Sequence, residues 1–159
     1  MKGNEEILKK LNDLLADELT AINQYMVHSE MDDDWGYDRL HESVEERAIV
    51  EMRHAESLIG RILFLEGTPV VSTLKGIHIG DKVEKQLDND WQAEYDAIHS
   101  YNDGIKLTRT HGDHGTEQLL KGILKDEEDH IDWIESQKDQ IDQLGIQNYL
   151  AMQVKEDEE

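Results

Sequence analysis

The segment VEERAIVEMRHAESL, residues 44–58, decides the fold of this chain. Its apolar residues recur in steps of three and four, the spacing of side chains on one face of an α-helix. Glu51 and His54 lie on that same face, between Ala48 and Leu58. Because an ionisable side chain in an apolar core is costly without a partner, the segment predicts a buried helix whose polar residues face a compensating group.

Three more stretches have the same helical period, which predicts four long helices. Asn4 can cap the first, which we expect to stop near Gly36, and Gly67 ends the second. The sequence therefore predicts an all-α fold, a single domain over residues 1–159 with an up-down-down-up four-helix bundle at about 4–144. The remaining predicted elements are a long crossover at 68–80, helices at about 81–110 and 116–144, a short fifth helix at 146–154 and an acidic tail at 155–159.

Composition limits the partners and the compartment. Sixteen Lys and Arg against 37 Asp and Glu give a formal net charge of -21, which argues against nucleic acid and is compatible with attracting cations. Without cysteine, the chain has no disulfide, thiolate ligand or catalytic thiol. The opening MKGNEEILKK lacks the apolar run of a secretory signal, and no stretch approaches the ~18 apolar residues of a membrane span. We therefore expect a cytoplasmic protein with no membrane partner.

Ionisable side chains interrupt the apolar stripe of every long helix near its middle. Four carboxylates and two imidazoles that face one another are a ligand set for two divalent metal ions, whose charge the carboxylates balance. The motif Glu-x-x-His occurs twice in this set, and its spacing puts both side chains on one helix face. The six candidate ligands are Glu18, Glu51, His54, Glu94, Glu127 and His130.

An internal repeat supports this ligand set more firmly than the residue types do. An offset of 76 residues converts each candidate ligand of the first two helices into one of the last two. The context repeats as well, since ELTAINQY at 18–25 matches EYDAIHSY at 94–101. The chain therefore contains two related helical hairpins, which we expect to meet about a pseudo-twofold axis. The related pairs are Glu18 with Glu94, Glu51 with Glu127, and His54 with His130.

This ligand arrangement is that of ferritin-like di-iron carboxylate bundles. Beyond the ligands, the chain resembles bacterioferritin over nearly its whole length. The stretches that carry the resemblance are MKG at 1–3, EL and AINQY within 18–25, WG at 35–36, EMRHA at 51–55, RILFLEG at 61–67, DEE and HIDW within 126–133, and QNY at 147–149.

The resemblance implies a ferroxidase and iron store, a homo-oligomeric cage of 24 subunits that oxidises Fe²⁺ with O₂ or H₂O₂ and keeps the ferric product as a mineral. It also implies two iron ions per subunit, with Glu51 and Glu127 bridging them. Carboxylate and imidazole ligands favour iron or manganese, and zinc can occupy such a site. By the family pattern, one iron takes Glu18, Glu51, His54 and Glu127, and the other takes Glu94, Glu127, His130 and Glu51.

A second apolar stripe runs along each of the first two helices. A helix that is apolar on two sides must bury the second side elsewhere, which predicts a subunit interface. The resemblance implies that Met52 from two subunits ligates one haem b across that interface, whereas in a monomer such a methionine would fill a gap in the core. The stripes comprise Leu8, Leu15, Leu19 and Met26 on the first helix, and Ile49, Met52, Ile59 and Leu63 on the second.

Several residues near the predicted centre have two interpretations. Tyr25 is placed either to donate a hydrogen bond or an electron to the metals or to fill the core, and the same holds for Trp133. Just before Glu51, where the family often carries acidic residues or histidine, this chain departs from the pattern, which bears on the route of iron from the site to the cavity. The departing residues are Glu46, Arg47 and Val50.

Outside the centre, His111 and His114 could bind metal loosely but are expected to form a plain turn. Four acidic residues could line a cation pore between subunits or be solvated helix ends: Asp34, Glu66, Asp132 and Asp139.

Two other functions stay open. One is a non-storage di-iron redox enzyme of the peroxidase or oxygenase type, and the other is a haem electron-transfer or structural bundle with a degenerate metal site. The family alone suggests a ferredoxin-type reductase for iron release.

Overall fold

The computed structural model describes residues 1–156, and within them every regular element is a helix. The predicted four-helix bundle, with a long crossover and a short fifth helix, is confirmed. No helix in the described part of the chain combines the length and hydropathy that crossing a membrane requires. The helices are α1 (Glu5–Asp34), α2 (Asp38–Phe64), α3 (Val83–Thr110), α4 (His114–Leu144) and α5 (Ile146–Ala151).

The helix ends follow from local hydrogen bonds. The Asn4 side chain caps α1 as predicted, because its Oδ1 accepts from the backbone N–H of Glu6 at 2.8 Å. Helix α4 begins two residues earlier than predicted, because the Asp113 side chain caps it by accepting from the N–H of Thr116 at 3.0 Å.

The predicted end of α5 at residue 154 is wrong. The helix stops at Ala151, and the chain turns so that the Gln153 carbonyl accepts from the Arg39 N–H at the start of α2. Of the predicted acidic tail, residues 157–159 lie outside the described residues.

Helices α1 and α2 form one hairpin, α3 and α4 form the other, and contacts between α1 and α3 join the two. The crossover runs along α1, where four polar side chains spaced four or eight residues apart accept hydrogen bonds from its backbone at 2.8 to 3.1 Å. These bonds fix the path of a segment that has no regular structure of its own. The pairs are Asn12 with Val70, Thr20 with Lys75, Gln24 with His78, and His28 with Gly80.

The apolar core is divided into two clusters that lie towards opposite ends of the helices. One cluster contains Leu11, Leu58 and Leu120, and the other contains Leu40 and Ile134. On α2, α3 and α4 the candidate ligands lie between residues of the two clusters, and on α1 Glu18 follows the buried residues of the first cluster. The fold therefore holds a polar layer between two apolar layers.

The predicted second apolar stripe is only partly a free surface. Leu15 is fully buried in the first core cluster, so its assignment to a subunit interface is wrong, because α1 packs against both α2 and α3. Leu8, Leu19 and Ile59 also pack against that cluster. The stripe residues that stay exposed are Met26, Ile49, Met52 and Leu63.

Candidate metal centre

The six candidate ligands come together in the polar layer, and each is at least nine-tenths buried. They form two groups of ligand atoms within 4.8 Å of one another, and Glu51 belongs to both groups. The first group is Glu18, Glu51, His54 and Glu127, and the second is Glu51, Glu94 and His130. Of the pairs that the 76-residue repeat relates, Glu51 and Glu127 share the first group, whereas Glu18 and Glu94 lie in different groups, as do His54 and His130.

In the first group, three carboxylates surround one imidazole nitrogen. His54 Nδ1 lies 3.3 Å from Glu127 Oε1, 3.5 Å from Glu51 Oε2 and 3.6 Å from Glu18 Oε2. On the other side of the ring, His54 Nε2 lies 2.8 Å from Asp126 Oδ2. Such a carboxylate fixes the orientation of a ligating histidine. The sequence reasoning missed Asp126, although it directly precedes Glu127.

In the second group, His130 Nδ1 lies 2.8 Å from Glu94 Oε1. The indole of Trp133 stacks on the His130 ring, with centroids 5.9 Å apart and planes 13° apart, which holds the imidazole in place. An arginine side chain also enters this group. The guanidinium of Arg47 lies among the carboxylates, with Nη2 2.6 Å from Glu51 Oε1. The sequence analysis did not predict this contact, because it treated Arg47 only as a departure from the family pattern that bears on the route of iron.

Within residues 1–156, five buried ligand atoms lack a hydrogen-bond partner: Glu18 Oε2, Glu51 Oε1, His54 Nδ1, Glu94 Oε2 and Glu127 Oε1. The short contact of Glu51 Oε1 with Arg47 is thus an ion pair without hydrogen-bond geometry. Buried polar atoms are nearly always paired, so a cluster of unpaired ones needs a reason. Divalent metal ions would satisfy these atoms, and the residues present fit them.

The electrostatics of the two groups differ. Burial and the charge of Glu51 raise the pKa of Glu18 well above its usual value, and burial with Glu51 and Glu94 does the same for Glu127. Burial alone would lower the pKa of His54, but Glu18 and Glu51 outweigh it and raise the pKa to about 10. The first group therefore holds protons when no metal is bound.

Glu51 and Glu94, which face Arg47, behave in the opposite way. Burial alone would raise the pKa of Glu51, but hydrogen bonds with Glu18 and His54 and the charge of Arg47 lower it. Burial alone would raise the pKa of Glu94 as well, but the charge of His130 together with hydrogen bonds to Glu127 and His130 lowers it. These two carboxylates are therefore ionised.

Two tyrosines connect the hairpins across the centre. Tyr25 of α1 donates a hydrogen bond to Glu94 Oε1 of α3, and Tyr101 of α3 donates to Glu18 Oε1 of α1 at 2.5 Å. Both rings are fully buried, and burial raises the pKa of both hydroxyls. The sequence reasoning singled out Tyr25 and missed Tyr101, although the 76-residue repeat relates the two.

The other candidate residues lie away from the centre. Met52 is 45% exposed on α2, pointing away from the buried ligands. His111 lies 2.9 Å from Glu6 Oε2 and His114 lies 3.0 Å from Glu117 Oε2, so each histidine has its own acidic partner. The four acidic residues considered for a cation pore are all exposed: Asp34, Glu66, Asp132 and Asp139.

A pocket of about 470 Å³ leads to the centre between α1, α3 and the crossover. Its wall includes Asp17 and Asn89 near the crossover and Glu18, Glu94 and Glu127 at the centre. The pocket reaches carboxylates of both ligand groups.

Several known proteins are similar to this chain in fold and in sequence. A family model described as a ferritin-like domain matches residues 8–144. The bacterioferritin of Brucella melitensis is 42% identical over 149 residues, 94% of this chain and 92% of that protein. A bacterial ferritin of Synechocystis is 39% identical over 155 residues, 97% of this chain and 99% of that protein. The solved structure of Mycobacterium tuberculosis bacterioferritin BfrA superposes with a TM-score of 0.96 at 39% identity, covering 98% of both chains. The chain belongs to the bacterioferritin family of ferritin-like proteins.

Proposed function

We propose that this chain is a ferroxidase and a subunit of an iron-storage cage, and that the two ligand groups bind two iron ions side by side. The observation that carries the proposal is the set of buried ligand atoms without hydrogen-bond partners. The ligands form two adjacent groups that share Glu51. Oxygen and imidazole ligands suit iron, and four carboxylates balance two divalent charges.

Two Fe²⁺ ions can together give two electrons to one oxidant. With O₂, two Fe²⁺ lose one electron each and O₂ takes up two electrons and two protons to give H₂O₂. With H₂O₂, the same two electrons and two protons give two water molecules.

The chain's own residues hold the substrate ions and keep the ligands oriented. Tyr101 donates to Glu18 Oε1 while Glu18 Oε2 is the oxygen near His54, Tyr25 donates to Glu94 Oε1, and Asp126 orients His54. Burial of all six ligands excludes bulk water, which strengthens their interaction with a cation.

The ferroxidase proposal is tested by anaerobic Fe²⁺ titration of the metal-free assembled protein, followed by mixing with O₂ or with H₂O₂. We expect a fast oxidation phase that saturates at two Fe²⁺ per chain. The variant Glu94→Ala should abolish this phase, and Glu84→Ala on the same helix should preserve it. Without a fast phase in the unchanged protein, the ferroxidase proposal fails.

Storage is tested separately by particle size and by iron retention after repeated Fe²⁺ additions. We expect a 24-subunit particle that retains far more iron than its two sites per chain can bind. A small oligomer with a fast phase and no retention would instead favour the non-storage di-iron enzyme.

We also propose that the exposed apolar residues Met26, Ile49, Met52 and Leu63 form a subunit interface with one haem b between two copies of Met52. A half-exposed thioether within an apolar face fits an axial haem ligand, and methionine is a known one. Met52→Leu should remove haem absorbance while the cage still assembles, and Met152→Leu, at an exposed methionine outside this set, serves as the matched control. Full haem content in Met52→Leu would refute this assignment. A cytoplasmic location and a ferredoxin-type reductase for iron release are proposed from the family alone.

A further inference from the structure

Arg47 is a buried cation inside the carboxylate cluster. One of its nitrogens, Nη2, lies 2.6 Å from Glu51 Oε1, 3.1 Å from Glu127 Oε2 and 3.6 Å from Glu94 Oε2. The other, Nη1, donates to the backbone carbonyl of Asp126 at 3.1 Å. A single nitrogen therefore lies among one oxygen from each of three glutamates.

These oxygens are different from those that face His54. The two shared glutamates, Glu51 and Glu127, direct Oε2 and Oε1 respectively towards His54 and their other oxygens towards Arg47. His130, which pairs with Glu94, lines the same pocket as Arg47. The guanidinium nitrogen thus lies where the second group of ligands would hold its metal ion.

The charge of Arg47 suits this position. Guanidinium stays protonated in proteins, and three buried carboxylates around it supply the compensation that a buried cation needs. In the metal-free protein, Arg47 therefore reduces the uncompensated negative charge of the second group.

The internal repeat reveals a second asymmetry, independent of Arg47. The 76-residue offset relates Asp126, the carboxylate beside His54, to Val50, and it relates Arg47 to the apolar Ile123. Val50 cannot accept a hydrogen bond from His130 as Asp126 can from His54. The second group therefore has an occupying cation and lacks the orienting carboxylate at the equivalent position of the repeat.

We propose that Arg47 makes the two metal positions unequal and ordered. The first ion binds at Glu18, Glu51, His54 and Glu127, and the second binds only when it displaces the guanidinium from Glu51, Glu94 and Glu127. A pocket of about 260 Å³ beside Arg47, lined in part by Glu46 and Asp129, offers the displaced side chain both space and acidic partners. This inference rests on the proposed dinuclear centre.

The test is calorimetric titration of the metal-free, assembled full chain with Co²⁺, an ion that binds such ligands and is stable to air in this setting. We expect two steps, the second about 10- to 100-fold weaker, because it must break charge-assisted hydrogen bonds and ion pairs. In Arg47→Gln, the second step should tighten by about the same factor. Arg53→Gln, an exposed arginine on the same helix, should match the unchanged protein.

A second measurement tests whether Arg47 competes with the second metal ion or only stabilises the fold. Without metal, Arg47→Gln should unfold at a lower temperature, because the glutamates lose their counter-ion. With two Co²⁺ per chain, it should unfold at or above the temperature of the unchanged protein. A structural arginine would lower both temperatures alike.

Two equal steps in the unchanged protein would overturn the inference whether or not Arg47→Gln folds, and so would an unchanged second step in Arg47→Gln. Either result would leave the dinuclear centre standing. If the unchanged protein bound no Co²⁺, the proposed centre itself would fail, and the inference with it.

Discussion

The two helical hairpins of this chain carry the same ligands in different surroundings. Each hairpin supplies Glu followed by Glu-x-x-His, and each supplies a tyrosine that donates to a glutamate of the other hairpin. They differ where Arg47 and Val50 of α2 correspond to Ile123 and Asp126 of α4. We therefore expect the two proposed metal positions to be unequal despite their symmetric ligands, because neighbouring charges and hydrogen bonds decide how readily each is filled.

The largest effect is expected from Glu127, whose two oxygens face both positions. Glu127 Oε1 lies 3.3 Å from His54 Nδ1 and Oε2 lies 3.1 Å from Arg47 Nη2. Glu127→Ala should weaken Co²⁺ binding at both positions. The loss should exceed the roughly 10- to 100-fold that is typical when a hydrogen-bond partner of a metal ligand is removed. The adjacent and exposed Glu128, changed to Ala, should leave both steps of the titration intact. If Glu127→Ala affected one step only, the bridging role would be excluded.

The pH dependence should differ between the two steps. The raised pKa values of Glu18 and Glu127, and that of His54 at about 10, mean that a metal entering the first position displaces protons. Affinity in the first step should therefore rise with pH, by up to about tenfold per unit for each proton released. The second step displaces a guanidinium and should depend less on pH. Titrations at pH 6.5 and 7.5, in buffers of different ionisation enthalpy, count the protons, and equal proton release in both steps would contradict this difference.

Changing the residues beside the two ligating histidines should shift the Co²⁺ affinities of the two positions in opposite directions. Asp126→Asn should weaken the first step by about 10-fold or more, since outer partners of ligating histidines typically contribute 10- to 100-fold. Val50→Asp should strengthen the second step by offering His130 a carboxylate at the equivalent place of the repeat. Glu128→Gln is the control for a change of charge on α4. Parallel shifts of both steps in either variant would argue against separate positions.

The smallest effects should come from the two tyrosines. Tyr101→Phe removes the tyrosine donor of Glu18 Oε1, and Tyr25→Phe leaves Glu94 Oε1 with His130 Nδ1 as its remaining partner. Each change should lower the free energy of unfolding by about 1–3 kcal/mol. The exposed Tyr95 provides a matched control, and Tyr95→Phe should change stability little. Denaturant unfolding of the metal-free protein measures these differences, and a much larger loss for one tyrosine than for the other would break the symmetry of the pair.

Much of the architecture could be predicted from periodicity and spacing. The predictable features depend on residues close together in the sequence, and the fold preserves them. They are the four long apolar stripes, the crossover without helical period and the capping residue Asn4. The juxtaposition of the six candidate ligands was also predictable. Charged residues in an apolar stripe need partners, and the 76-residue repeat identifies which residues of the two hairpins correspond.

Contacts that depend on neighbouring helices could not be predicted. Leu15 looked like part of a free stripe because the sequence does not reveal that α1 packs against α2 and α3 together. Arg47 reaches the centre by a long side chain whose direction no pattern specifies. Tyr101 and Asp126 were within reach of prediction, since one is related to Tyr25 by the repeat and the other is adjacent to Glu127.

The most direct test of an unequal dinuclear centre is a pair of crystal structures, grown with one and with two Co²⁺ per chain, in which anomalous scattering measures metal occupancy. With one equivalent, we predict cobalt among Glu18, Glu51, His54 and Glu127, and Arg47 still beside Glu94. With two, we predict a second cobalt at Glu51, Glu94, Glu127 and His130, and Arg47 moved towards Glu46 and Asp129. Equal occupancy of both positions at one equivalent, or cobalt bound elsewhere, would contradict this account.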